Sequence, residues 1–291
     1  MTQSYIVTDA LGELGSAVAA RLARDSVRLC LSYDEREVQE PEGQGQRLTP
    51  SDLTERLSAS GAEVEWIPGR FDDPETAESL MRAALDGDAT LAGVVGCANA
   101  PATGRLLDVS PETWRATADT HLTGMFLLAR AFGRAVRLGH PAALVLITSP
   151  AGLHPIAGAS PLGAISAGVA ILAQCVALET AKYGGRAYAV SQWATTLPSS
   201  QPGGYGKAGA DLVAALATDR FVPLPSDLGP NTVAELVDFL IHTPEQLASI
   251  VESAGNQVAS YRRTPRLTFA LREDSTPADV LSALNGYAQR M

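Results

Sequence analysis

Short β-branched or apolar runs alternate with longer helical runs along most of this chain, and that rhythm limits it to few folds. "YIVT" is followed by "GSAVAARLAR" and "VRLCLS"; after a polar insertion come "AEVEWI", "PETAESLMRAAL" and "LAGVVGC". A helical segment from about 111 to 138, the strand "ALVLITS", a second helix from about 161 to 183 and the strand "RAYAVSQ" continue the pattern. Such β-α-β-α order predicts an α/β fold, a doubly wound parallel sheet with helices on both faces. With 291 residues, 46% of them hydrophobic, the chain is expected to build one Rossmann-type domain over 1–291.

Two stretches break the rhythm. "DEREVQEPEGQGQRLTP" is charged and Gly/Pro-bearing, an exposed loop before a short helix at "SDLTERLSAS". "TTLPSSQPGGYGK" follows the carboxyl end of a strand, where open α/β sheets place ligands, so 195–230 is a candidate lid or a plain surface loop; 244–291 is a C-terminal extension. A net charge of -10 opposes binding to nucleic acid or anionic membranes. No basic leader and no run of about 20 apolar residues is evident, so a cytoplasmic protein without membrane contact is expected. Cys30, Cys97 and Cys175 lack metal-site spacing and read as small core residues.

Six stretches in order, "YIVTDALGELGSAVAARLA", "LAGVVGCANA", "ETWRATADTHLTGMFLLARAF", "ALVLITSPAG", "PLGAISAGVAILAQCVALE" and "GGRAYAVSQWATT", resemble the short-chain dehydrogenase/reductase family from residue 4 to about 196. The tail "LASIVESAGNQVASYRR" is loosely similar to the closing hairpin of the family's hydroxyacyl-CoA dehydrogenases. The resemblance implies a phosphate turn T-G-x-x-x-G-x-G, but here Asp9 and Glu13 stand at the first two glycines and only Gly15 is kept. Two like charges ~4 Å apart cost about 4 kcal/mol at an intermediate dielectric, enough to oppose a pyrophosphate. Gly12 offers the loop another path, and both acids also suit the free amides of a helix N-terminus.

Other cofactor contacts implied by the resemblance depart in the same direction. Arg70 aligns with an adenine-contacting aspartate, "GCAN" keeps only Ala98 of the N-N-A-G turn, and Gln192 and Trp193 replace the Pro-Gly pair beside the nicotinamide. Asp34 is placed to bond a ribose or to remain a solvated charge. The family's catalytic tyrosine and lysine become Leu162 and Ser166, its serine is kept as Ser149, and its asparagine becomes His121. Ser149, His121 and Ser166 should converge on one pocket, with His154 on a loop near its rim; these four are the candidate catalytic residues. His121 also has a purely structural reading. Leu162, Trp193, Tyr205 and Asn99 are candidate substrate contacts.

These losses favour a scaffold that has given up hydride transfer, binds no cofactor and no metal, and catalyses a cyclisation, isomerisation or dehydration of a small apolar metabolite in bacterial specialised metabolism. The alternatives are a catalytically silent partner subunit of an active homologue and an atypical NAD(P)-dependent reductase. The two long helices normally form the family's dimer interface, so a homodimer or homotetramer, or a heteromer with an active homologue, is expected.

Overall fold

The computed structural model describes residues 2–35, 48–98, 106–155, 157–193, 229–247, 249–254 and 257–261. The chain divides into two compact units, Met1–Tyr261 and Arg262–Met291. The second unit lies outside the described residues, as does nearly all of the candidate lid.

The first unit opens with β1 (Gln3–Val7), α1 (Glu13–Leu22), β2 (Val27–Tyr33), α2 (Pro50–Ser58), β3 (Glu63–Pro68), α3 (Pro74–Ala84) and β4 (Thr90–Gly96). It continues with α4 (Pro111–Ala118), a π-helical turn (Asp119–Thr123), α5 (Gly124–Arg137), β5 (Ala143–Thr148), a 3-10 turn (Pro150–Gly152) and α6 (Ser160–Thr180). A further 3-10 turn (Ala181–Tyr183), β6 (Arg186–Trp193), α7 (Pro230–His242), β7 (Ile250–Ala254) and β8 (Gln257–Ser260) follow. The strands make one sheet in the order β3-β2-β1-β4-β5-β6-β7-β8. Every pairing is parallel except that of β7 with β8.

Strand alternation sorts side chains into two cores. Ile6, Leu144 and Leu146 join residues of α3, α5 and α6 on one face; Tyr5, Val7 and Val145 join α1, α2 and α7 on the other. Each fully buried Val, Leu or Ile contributes about 1.5–3 kcal/mol, so a polar residue inside these strands is costly unless bonded.

Helix starts show which ends are already satisfied. Thr49 and Asp52 form a reciprocal capping box on α2, Asp73 caps α3 and Ser110 caps α4, each followed by proline. At α1 the cap is Gly12, whose extended backbone brings no side-chain acceptor. Two expectations are corrected. Cys175 is exposed on α6, whereas Cys30 and Cys97 are buried. The segment Ser160–Tyr183 is by length and composition apolar enough to span a membrane, but half of it is buried in the fold, and it is the helix covering β5 and β6.

Candidate functional site

The carboxyl ends of the parallel strands gather the candidate residues, as the crossovers of a doubly wound sheet require. Thr8 closes β1 onto β4: its buried Oγ1 donates to the Cys97 carbonyl at 2.5 Å and accepts from the Cys97 amide at 2.9 Å. The chain then turns sharply, with the Gly12 amide donating to the Asp9 carbonyl at 3.0 Å and Asp9 held at φ 48°, in the left-handed region. Gly15 makes this turn possible, since a Cβ there would lie 2.0 Å from the Asp9 carbonyl oxygen.

Beside the turn lies a pocket of about 50 Å³, lined by Asp9, Ser32, Tyr33, Asp34, Gly69, Phe71, Asp72, Cys97, Ala98 and Thr120. This crevice between the ends of β1, β2, β3 and β4 is where a doubly wound sheet receives the adenosine half of a dinucleotide. Asp34 and Asp72 line this crevice, and Arg70 grips the Asp72 carboxylate with Nε at 2.9 Å and a terminal guanidinium nitrogen at 2.5 Å. The phosphate seat is tighter: Asp9 Oδ2 lies 2.8 Å from where a Cβ on Gly12 would stand, so the carboxylate covers the α1 N-terminus. The crevice thus lies where a doubly wound sheet holds adenosine, and the Asp9 carboxylate stands at the phosphate seat. Glu13, on the first turn of α1, is exposed.

The second half of the site surrounds the start of α6. Ser149 caps the 3-10 turn, its Oγ accepting from the Ala151 amide at 3.3 Å. That turn presses on α6 at Ser166, for a Cβ on Gly152 would lie 2.5 Å from backbone atoms of Ser166 and Ala167. The π-helical turn bearing His121 reaches the same helix, where Leu122 sits 3.1 Å from a Cβ position on Gly168. Thus the segments bearing Ser149 and His121 both lean on α6 around Ser166. Burial pushes the His121 imidazole down to about 4, so at neutral pH it is uncharged and offers hydrogen bonds rather than a proton. Leu162 is buried against Ala151 and Ala159.

His154 does not sit at a rim. The chain winds from Ser149 through carbonyl bonds of Pro150 to Leu153 and His154, and the ring turns into the fold, where Nε2 lies 2.8 Å from Glu252 Oε1. Both side chains are only 6% exposed, so the pair counts as buried. The Trp193 ring stands 5.9 Å from the His154 ring, and Tyr261 meets it edge-on at 6.2 Å. Asn99 and Tyr205 lie outside the described residues. Glu252 and Asp72 escaped the sequence reading. The signal for Glu252 is one acid inside the apolar run "IVESA", a residue that must find a partner if the strand is buried.

The family model for enoyl-(acyl carrier protein) reductase matches residues 12–247. A 3-oxoacyl-[acyl-carrier-protein] reductase of Synechocystis sp. is 26% identical over 243 residues, 83% of this chain and 90% of that protein. A short chain dehydrogenase from Mycobacterium avium superposes with a TM-score of 0.73 at 21% identity, covering 98% and 94% of the two chains. L-sorbose reductase from Gluconobacter frateurii, solved with NADPH and L-sorbose, gives 0.70 at 16% identity over 87% and 95%. These findings overturn the expectation of a cyclase-, isomerase- or dehydratase-type catalyst without hydride transfer: the matching family and the relative are reductases. That expectation read each replaced motif residue as a lost function.

Proposed function

Because this chain belongs to the short-chain dehydrogenase/reductase family, we propose that it is an atypical nicotinamide-dependent reductase of small carbonyl compounds, with 3-oxoacyl thioesters as the substrate class to test first. The observation that supports this reading most directly is the tight turn between β1 and α1, permitted by Gly15, beside the crevice at the strand ends. Asp34, just beyond β2, would accept from a ribose 2′-hydroxyl, which favours NADH over NADPH. The backbone from Asp9 to Gly12 would face the phosphates. When bound, a reduced nicotinamide supplies the hydride. Ser149 orients the carbonyl oxygen by donating from Oγ, and His121 stays neutral and holds a bridging water.

The reading makes the protein an unusual family member, since Leu162 and Ser166 occupy the tyrosine and lysine positions. Leu162 brings no proton; it narrows the cleft with Ala151 and Ala159 and favours an apolar acyl chain. Calorimetric titration with NADH and NADPH tests the proposal. Micromolar to submillimolar NADH binding, weaker for NADPH, is the expected result. No heat from either nucleotide up to millimolar concentration would refute it.

A further inference from the structure

We propose that His154 and Glu252 are positioning residues: their buried bond ties the turn that follows Ser149 to β7, and so fixes the hydroxyl that meets the substrate carbonyl. The inference rests on the reductase reading above. It starts from a turn too short to hold itself. A three-residue 3-10 turn has few hydrogen bonds and poor bond geometry, so its shape depends on what it is packed against.

Ser149 is the open residue of its segment, partly exposed where Thr148, Pro150 and Ala151 are buried. The Gly152 amide donates to the Ser149 carbonyl at 3.0 Å, and the amides of Leu153 and His154 donate to the Pro150 carbonyl at 2.9 and 2.8 Å. These bonds close the turn on itself and anchor it to no other element. Anchors come before, within and after it. Ahead of the turn, Thr148 Oγ1 donates to the Ser166 carbonyl at 3.0 Å. Within it, Gly152 lies so close to α6 that a Cβ would stand 2.5 Å from backbone atoms of Ser166 and Ala167. After it, His154 Nε2 lies 2.8 Å from Glu252 Oε1, on a strand 98 residues away.

The last anchor crosses the sheet. Thr148, Ser191 and Glu252 are neighbours in register across β5, β6 and β7, so they share one face, and Glu252 stands two strands, about 10 Å, from Thr148. Ser191, between them, gives the turn no side-chain bond, for its Oγ is buried without a hydrogen-bond partner among the described residues. The His154 ring spans that gap, and the rings of Trp193 at 5.9 Å and Tyr261 at 6.2 Å limit its tilt. Both side chains of the pair are buried, so they act through the turn rather than on a substrate. The same bond meets a need of Glu252 itself, since an acid inside the strand "IVESA" is costly unless bonded. The tether calls for a side chain long enough to reach Nε2 and able to bond it, not for a particular charge.

The test, on the full chain, separates length from charge. Glu252→Gln keeps the reach and an acceptor oxygen without the charge; Glu252→Asp keeps the charge but is one methylene short. Leucine at both His154 and Glu252 removes the tether without stranding a buried charge. Amide hydrogen exchange at Gly152 and Leu153 should stay within about threefold of the parent in Glu252→Gln and quicken about tenfold or more in Glu252→Asp and in the double variant, while Val145 and Leu146 in β5 keep their rates. With NADH and a 3-oxoacyl N-acetylcysteamine thioester, kcat should follow the same order, near the parent's for Glu252→Gln and about tenfold lower in the other two, with NADH affinity within about threefold in all. Exchange at the turn that is unchanged in Glu252→Asp and the double variant, or that quickens only in step with Val145 and Leu146, overturns the proposal. So does a loosened turn that leaves kcat in place, or a Glu252→Gln chain as slow as Glu252→Asp. Those results leave the reductase reading standing. A parent that oxidises no NADH with the thioester overturns that reading, and the role of the pair with it.

Discussion

Asp9 is the residue on which nucleotide affinity turns. Its backbone sits at φ 48°, where asparagine is tolerated and glycine is at ease, and its carboxylate lies over Gly12 at the α1 N-terminus. Asp9→Asn should tighten NADH binding about tenfold by removing the charge, and Asp9→Gly further by also removing bulk; calorimetry reads both. Gly15→Ala should cost about 2 kcal/mol or more in denaturant unfolding, since its Cβ would meet the Asp9 carbonyl oxygen at 2.0 Å. His121 makes the fold acid-sensitive. Its folded value of about 4 lies below that of a free histidine, so the unfolded chain binds the extra proton and stability rises with pH between about 4 and 6.5. His121→Asn should remove about 3 kcal/mol of the difference in unfolding free energy between neutral pH and pH values near 4.

At the scale of elements, the site is a matter of which turns lean on α6. Gly152→Ala would push the 3-10 turn away from Ser166 and misplace Ser149, so kcat/KM should fall about tenfold while NADH affinity is unchanged. The order of strands and helices was legible in the sequence because period-two and period-3.6 patterns survive substitution. Motif spacing pointed to Ser149 and Ser166, and the 3-10 turn after Ser149 packs on α6 at Ser166. His154 was misplaced to a rim because its partner, Glu252, is 98 residues away and joins it only when β7 docks on β6. At the turn after β1 the sequence showed the changed residue, Asp9, but not the tight backbone contact that Gly15 allows there.

For the molecule as a whole, apolar side chains left outside both cores point to self-association. Phe126 is 49% exposed on α5, and Leu178 is 82% exposed on α6, with Trp114 and Ile171 also partly open to solvent. If these helices meet a second copy, as the family resemblance implies, light scattering should give a dimer or a multiple of it, and Phe126→Glu with Leu178→Glu should lower the mass toward the monomer. The central claim, that this scaffold still transfers hydride, is tested most directly by offering the 3-oxoacyl thioester with NADH carrying deuterium at the transferred position. The account predicts one deuterium on the carbinol carbon of the product, formed stereospecifically. Thioester bound and recovered unlabelled, with the NADH intact, would contradict it.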